Sequence, residues 1–210
     1  MAILLRRLVA CSLLLMGCTS FQTEDTAASG APAVEPGKVL IVYLSRTSNT
    51  KAVAGIIQRT VGGKVVALEL EKPYPANYQA TVQQVSDENE KGYLPPLRTS
   101  VENIRQYDVI FVGFPTWGMQ LPPPLKSFLK QYDLSGKTIV PFSTHAGYGV
   151  GSGFETVKAM APRSTVLEGF STKGGVERDG VLFVMAGNKE KQVQNEVQAW
   201  LKRIKLLSSK

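Results

Sequence analysis

Short apolar runs rich in β-forming residues alternate with segments of helical pattern over most of this chain. The first run, Val39 to Leu44, is nearly unbroken, as expected for a strand that is buried on both faces of a parallel sheet. Regular alternation of such strands with helices predicts an α/β domain whose parallel sheet carries helices on both faces. The predicted strands are 39–44, 64–70, 108–113, 138–143 and 166–171, and the predicted helices are 49–61, 77–91, 125–131, 154–160 and 189–205. A further run, 180–187, has strand propensity but no evident place in this sheet.

The N-terminal residues follow a different pattern. Arg6 and Arg7 precede an apolar run, 8–16, which is too short to span a bilayer and is typical of a secretory signal. The segment Leu15-Met16-Gly17-Cys18 resembles a bacterial lipobox, in which Cys18 receives lipid and becomes the mature N terminus. A simple signal peptide and a short buried helix are the alternatives.

This pattern divides the chain into three parts. We expect a lipoprotein signal peptide at 1–17, a flexible tether at 18–36 that is rich in small and polar residues, and one domain at 37–207. The protein is then exported and held at a bacterial membrane by its lipid. Because Thr19 follows the cysteine, the outer membrane facing the periplasm is implied if the host is Gram-negative.

The cysteine and histidine counts remove several kinds of chemistry. The two cysteines, Cys11 and Cys18, both lie in the leader, so the mature domain has no disulfide, thiol nucleophile or thiolate metal site. His145 is the one histidine, which excludes a His-rich metal centre. The net charge of +7 favours acidic partners or an anionic surface, but we find no nucleic-acid motif and expect no nucleic-acid partner.

A polar loop follows the first strand and leads directly into the first helix. Five of its six residues carry a hydroxyl or an amide: Ser45, Thr47, Ser48, Asn49 and Thr50. The first N–H groups of a helix have no intrahelical partner and carry partial positive charge, so they favour an anion. An ordinary N-cap is the simpler interpretation, but one cap needs one such residue and this loop offers five. We therefore predict a phosphate site.

Two more specialised loops follow the third and fourth predicted strands. They are 115–120, which contains Trp117 and Gly118, and 144–153, whose glycines let the backbone approach a planar ligand. In an open parallel sheet, ligands bind beyond the carboxyl ends of the strands. The three loops together therefore predict one binding site.

At these residues the chain resembles the flavodoxins. Members of that family carry a hydroxyl-rich S-x-T-G-N-T loop, matched here by Ser45 to Thr50 with Ser48 in place of the usual Gly, and a Thr-Trp-Gly-like loop, matched by 116–118. The resemblance covers roughly 38–206. It implies a doubly wound, five-stranded sheet of order 2-1-3-4-5, and FMN as the cofactor.

The resemblance also implies which residues hold FMN. The phosphate would contact the five polar residues of the first loop, and the isoalloxazine ring would lie between the other two loops, where Trp117 stacks on it. The implied ring contacts are Pro115, Thr116, Trp117, Gly118, Thr144, His145, Ala146, Gly147 and Gly149. Plain loop packing is the alternative for Trp117, and a satisfied loop residue is the alternative for His145. No metal site and no catalytic residue is implied.

Three functions remain open at this stage. The leading hypothesis is an FMN-binding redox protein that carries electrons for a partner protein or reduces a small acceptor such as a quinone. The second is a surface-anchored binding module that keeps the fold without the flavin. The third is an NAD(P)H-dependent quinone or azo reductase, for which the sequence offers no identifiable nicotinamide site.

Overall fold

The computed structural model describes residues 32–208. The predicted signal peptide and the lipidation site Cys18 lie outside these residues, so both stay predictions. Within the described range, no helix combines the length and the apolar character needed to cross a membrane.

One parallel sheet forms the centre of the domain. Its strands are β1 (Val39–Tyr43), β2 (Lys64–Ala67), β3 (Val109–Pro115), β4 (Thr138–His145), β5 (Thr165–Val166) and β6 (Phe170–Lys173). Their order is β2-β1-β3-β4-β5, and β6 also pairs with β4. The predicted order 2-1-3-4-5 is therefore confirmed. All five residues of β1 are buried, because the strand is central and covered on both faces.

The fifth position of the sheet differs from the sequence prediction of a single strand at 166–171. Two short strands occupy it, and the eight-residue β4 is long enough to pair with both of them. Between them, the carbonyl of Glu168 accepts a hydrogen bond of 3.0 Å from the indole N–H of Trp200. The Trp200 side chain thus satisfies a carbonyl that lies between the two strands.

Five helices cover the two faces of the sheet: α1 (Asn49–Val61), α2 (Tyr78–Glu90), α3 (Pro123–Gln131), α4 (Gly153–Met160) and α5 (Gly187–Arg203). Side chains of α1 and α5 form one apolar core with the sheet, which includes Ile57, Val197 and the fully buried Trp200. Side chains of α3 and α4 form the second core on the opposite face. Helix α2 packs beside α3. The prediction of helices on both faces is therefore confirmed.

Local signals set where these helices begin. Helix α2 follows a proline-rich stretch, and the Asn77 side chain caps it by accepting a 2.9 Å hydrogen bond from the N–H of Ala80. Helix α3 begins with Pro123 and Pro124, which suit the first turn because the N–H groups there have no helical partner.

The unplaced run 180–187 is not a strand of the sheet. It forms an extended segment beside the sheet that begins with a single bridge between Val176 and Val181. Met185 is buried in the core shared with α1 and α5, whereas Val181, Leu182 and Phe183 are exposed. The segment thus joins β6 to α5, and the Met185 side chain anchors it on the apolar core.

Part of the predicted tether packs against the domain. Pro32 forms an antiparallel bridge with Leu207, and the N–H of Ala33 donates to Leu206 O at 3.2 Å. Val34 packs against the core, so the described residues of the predicted tether lie on the domain. A short 3-10 helix, Pro36–Lys38, then enters the amino end of β1. The chain therefore enters at the edge opposite the carboxyl ends of the strands.

Candidate functional site

The three polar loops lie together at the carboxyl edge of the sheet and are joined by hydrogen bonds. Thr50 Oγ1 and Thr144 Oγ1 lie 2.9 Å apart and link the first loop to the third. The N–H of Thr116 donates to Thr144 O at 2.8 Å, and Thr116 Oγ1 lies 2.9 Å from Ser143 Oγ, which links the second loop to the third. The sequence prediction that these loops meet agrees with this geometry.

The first loop presents free backbone donors. Ser48 has φ of +65°, in the left-handed region, and α1 begins immediately after it. Among the described residues, the N–H groups of Thr47, Ser48 and Asn49 donate to no acceptor. Consecutive N–H groups at a left-handed turn before a helix form a concave anion site. The left-handed φ also explains why Gly is the usual residue at this place in the flavodoxin motif.

Two side chains of this loop do not point toward a ligand. Asn49 is 3% exposed and Thr50 is 1% exposed. The Asn49 amide nitrogen donates to Leu182 O at 2.6 Å and to Thr47 Oγ1 at 2.9 Å, while its oxygen accepts from the N–H of Val184 at 3.0 Å. We therefore assign these two side chains a role in holding the loop, and only their backbone N–H groups remain for an anion.

The second loop contains a tight turn at its tip. The N–H of Gln120 donates to Trp117 O at 2.9 Å, and the two residues between them, Gly118 and Met119, have φ of +55° and +60°. Two successive left-handed residues are the pattern of a type I′ turn, which favours Gly at one of the positions. Met119 is held there because its carbonyl accepts a 2.9 Å hydrogen bond from the N–H of Ser152.

Trp117 is held in place by a second aromatic ring. Tyr74 meets it edge-on, with ring centroids 5.4 Å apart and an angle of 85° between the planes. The Tyr74 hydroxyl donates to the buried Glu88 carboxylate at 2.5 Å. Burial and the bond to Glu88 raise the pKa of Tyr74 far above its usual value. Tyr74 therefore stays protonated and keeps Trp117 in one orientation.

The third loop carries the single histidine. His145 Nδ1 accepts a 3.1 Å hydrogen bond from the N–H of Gly147, so the proton of the neutral ring lies on Nε2. Burial, together with the positive charges of Lys173 and Lys189, lowers the pKa of His145 below its usual value. The ring is therefore neutral at pH 7 and is not a source of positive charge for an anion.

An ion pair crosses the site. Arg46 Nε lies 2.7 Å from Glu177 Oε1, and its other nitrogens donate to Pro75 O at 3.0 Å and Ala76 O at 2.7 Å. Both side chains are about one-fifth exposed, at 19% and 21%. Arg46 thus ties the first loop to the segment before α2 and to the short 3-10 helix Glu177–Asp179.

Three adjoining cavities surround these groups. The inner cleft, of about 110 Å³, is lined by all three loops together with Gly174 and Gly175. The outer cleft, of about 500 Å³, lies between the second and third loops and the segment 176–178. The side groove, of about 380 Å³, lies between α2 and the turn 116–120. Tyr78, Thr116 and Glu177 line all three cavities, so the three lie next to one another.

Most of the sequence-predicted site residues line these cavities. The inner cleft includes Thr47, Asn49, Pro115, Thr116, Trp117, Thr144, His145 and Ala146. Gly118 and Gly149 line the outer cleft. The other four predicted residues, Ser45, Ser48, Thr50 and Gly147, do not line the three cavities.

Sequence reasoning missed several lining residues. Arg46 occupies the variable position of the S-x-T motif, and its partner Glu177 lies 131 positions away, so no local pattern could have indicated the pair. Tyr148 lines the outer cleft and is 69% exposed. An aromatic residue between two glycines of a loop that is predicted to hold a ring was a usable signal for Tyr148.

Comparison with known proteins finds a family and several solved structures that are similar to this chain. A family model described as Flavodoxin matches residues 38–185. A solved structure from Bacteroides eggerthii DSM 20697, provisionally described as a flavoprotein, is 27% identical over 80% of this chain and 98% of that chain, with a TM-score of 0.65. A search of curated proteins found no match.

Two further solved structures share the fold. One, from Bacteroides uniformis ATCC 8492 and also provisionally described as a flavoprotein, is 23% identical and covers 78% of this chain and 99% of that chain, with a TM-score of 0.64. The other is a flavoprotein from Lactobacillus acidophilus NCFM, solved in complex with FMN. It is 23% identical and covers 69% of this chain and 98% of that chain, with a TM-score of 0.57.

Proposed function

Because this chain belongs to the flavodoxin family, we propose that it binds FMN and transfers electrons to a partner protein or to a small acceptor such as a quinone. One observation carries the proposal: a loop whose N–H groups have no acceptor within residues 32–208 adjoins two neighbouring clefts at the carboxyl edge of the sheet. When bound, FMN supplies one- and two-electron redox chemistry, and the protein groups near its ring tune its potential.

The first loop fits a phosphate group. The N–H groups of Thr47, Ser48 and Asn49 are available as donors, and the helix dipole of α1 adds positive potential at this end. The Thr47 hydroxyl accepts from Asn49 Nδ2, which leaves its own hydrogen free for a phosphate oxygen. Asn49 acts indirectly here, because its amide holds Thr47 in place.

The outer cleft fits a flat ring between the second and third loops. Its walls include Gly118, His145, Ala146 and Gly149, which the resemblance predicted as ring contacts, and the exposed aromatic ring of Tyr148. Trp117 lines the inner cleft rather than the outer one, so it would meet the ring from the inner side. Neutral His145 offers the Nε2 hydrogen as a donor without adding a charge.

We propose that the protein works outside the cytoplasm, anchored by lipid on Cys18. The lipobox-like segment 15–18 supports this. Labelling with a fatty-acid analogue in cells tests the anchor: the full-length protein should be labelled, and Cys18→Ser should abolish the label.

Titration of the 32–210 domain with FMN, followed by anaerobic photoreduction, tests the main proposal. We expect the flavin absorbance bands to shift on binding and then to bleach on reduction. Riboflavin serves as the matched ligand without phosphate and should bind more weakly. A folded domain that binds neither ligand would instead favour the surface-anchored binding module, and rapid saturable reduction by NADH or NADPH would favour the reductase.

A further inference from the structure

We propose that the side groove between α2 and the turn 116–120 binds a neutral, planar electron acceptor of the quinone class. This rests on the proposed FMN function, because the acceptor takes its electrons from the reduced flavin. The groove holds about 380 Å³ and is lined mainly by apolar surface, within the range of about 300–1,000 Å³ that is typical of small-molecule sites.

The groove adjoins the proposed cofactor clefts. Trp117 and Arg46 line both the side groove and the inner cleft, and Gly118 lines both the side groove and the outer cleft. Thr116 lines all three cavities. One layer of protein groups therefore separates a molecule in the groove from the place proposed for the flavin, and an acceptor there has a short path for electrons.

The charges of the groove offer no site for an anionic dinucleotide. Among the described residues that line it, Arg46 is the one cation, and that guanidinium already bonds to Glu177, Pro75 O and Ala76 O. The carboxylate of Glu90 also lines the groove, and the ammonium of Lys126, which donates to Asn89 Oδ1 at 2.7 Å, lies at its edge. These charges leave no excess positive charge for a pyrophosphate, whereas an uncharged acceptor needs none.

Polar groups at one end of the groove suit the carbonyl oxygens of a quinone. Asn89 Oδ1 accepts from Lys126 Nζ at 2.7 Å, which orients the amide, and within residues 32–208 its NH₂ group donates to no acceptor. Gln120 also lines the groove. Val82, Val85 and Trp117 supply the apolar walls against which a flat ring can pack.

The reaction balances with fully reduced flavin as the donor. The bound quinone gains two electrons and two protons from the doubly protonated reduced flavin and becomes the quinol, while oxidised flavin remains. Photoreduction supplies the reduced flavin in vitro, so no nicotinamide cofactor is needed.

Val82→Trp tests the groove, because Val82 lines it and is 45% exposed, so a larger side chain can enter the groove without disturbing a core. The FMN-loaded protein is photoreduced under argon and mixed with menadione, and the rate of flavin reoxidation is followed against menadione concentration. We expect saturation, with the half-saturating concentration raised at least about tenfold in Val82→Trp while the FMN Kd is unchanged. The matched control is Gln83→Trp on the exposed, outward side of α2, which should behave as wild type.

Three results would overturn the proposal. Unaltered menadione saturation in Val82→Trp would show that the acceptor binds elsewhere. Loss of FMN binding in this variant, with the thermal transition unchanged, would assign the groove to the cofactor. Saturable reduction by NADH that Val82→Trp abolishes would assign it to a nicotinamide.

A measurement on the flavin-free protein separates this proposal from the proposed function. Saturation-transfer NMR with menadione reports binding without FMN, and we expect a signal in wild type and Gln83→Trp that is lost in Val82→Trp. If FMN fails to bind but this pattern holds, the proposed redox function is wrong and the groove assignment stands. If menadione gives no signal while FMN binds, the groove assignment is wrong.

Discussion

The amide of Asn49 links the first loop to Leu182, a residue 133 positions further along the chain. Its nitrogen donates to Leu182 O at 2.6 Å, and its oxygen accepts from the N–H of Val184 at 3.0 Å. The nitrogen and the oxygen of one buried amide thus both hold the extended segment. The side chains of that segment at 181–183 are themselves exposed. The first loop and the segment before α5 therefore depend on each other.

Asn49→Leu should destabilise the domain and weaken FMN indirectly. The substitution leaves Leu182 O and the N–H of Val184 without partners, which costs about 1–3 kcal/mol in the free energy of unfolding. Chemical denaturation measures this loss. Because the Asn49 amide also holds Thr47 in place, FMN should lose more affinity than riboflavin, which has no phosphate, but the difference should be smaller than in Thr47→Val.

Thr47→Val is the matched comparison in the same loop. It removes the hydroxyl that is available to a phosphate oxygen, so FMN should lose about 1.5–3 kcal/mol of binding free energy, while riboflavin should lose little. A larger loss of FMN selectivity in Asn49→Leu than in Thr47→Val would show that the Asn49 side chain contacts the phosphate after all.

Ser48→Gly should stabilise the domain. A side chain at φ of +65° costs about 1–2 kcal/mol, and Gly removes this strain but is more flexible when unfolded by about 0.5–1 kcal/mol, so we expect a net gain of about 0.5–1 kcal/mol. Ser48→Ala keeps the strain and should show no gain. Thermal and denaturant unfolding of both variants measure the difference, and equal stabilities would mean that the loop relaxes around Ser48.

The resemblance to the flavodoxins predicted the sheet order, and local sequence signals predicted the α1 bounds. Helix α1 occurs at 49–61 as predicted, since a polar loop and the Gly62–Gly63 pair mark its ends. The fifth strand was less predictable. At its interruption the Glu168 carbonyl accepts a hydrogen bond from the Trp200 indole, and a tertiary hydrogen bond of this kind leaves no local pattern.

The candidate site shows the same division between local and distant information. The three loops were predictable because carboxyl ends of parallel strands meet at one edge and each loop has a distinct composition. The orientation of each side chain was not. Asn49 bonds to Leu182, which lies in the run 180–187 that the sequence could not place, and Arg46 bonds to Glu177, which lies 131 positions further along the chain.

Trp117→Ala should weaken FMN binding by about 1–3 kcal/mol and shift the two-electron reduction potential, if the indole contacts the ring. Absorbance titration and anaerobic potentiometry measure the two effects. Trp200→Phe is the control, because Trp200 is buried in the core and remote from the clefts. It should lower stability and leave the potential unchanged. An unaltered FMN affinity and potential in Trp117→Ala would remove Trp117 from the site.

The domain should become less stable above about pH 10, because the stabilising contribution of protonated Tyr74 is lost there. Burial and Glu88 raise the pKa of Tyr74 in the folded state above the ordinary value of 10.0, so the contribution is complete below pH 10 and is lost as pH rises through that value. Tyr74→Phe should lower stability at pH 7 by about 1–3 kcal/mol, because the buried Glu88 loses a donor. The same variant should flatten the decline of stability at alkaline pH.

Denaturant unfolding between pH 7 and 11 measures the loss at pH 7 and the alkaline decline. The exposed Tyr148→Phe is the control, and an unchanged alkaline decline in Tyr74→Phe would contradict this assignment.

His145 should titrate below its ordinary pKa of 6.5, and its protonation in acid should lower the stability of the domain. Burial, then Lys173 and Lys189, lower the pKa of the folded ring, so its contribution is present above pH 6.5 and is lost as pH falls below that value. Protonation also breaks the hydrogen bond from the N–H of Gly147 to Nδ1.

An NMR titration measures the His145 pKa directly, because the chain has a single histidine. Lys173→Gln should raise the His145 pKa, whereas Lys91→Gln, on an exposed residue that follows α2, should not. A wild-type pKa at or above 6.5 would show that the ring is more hydrated than the packing of the third loop implies.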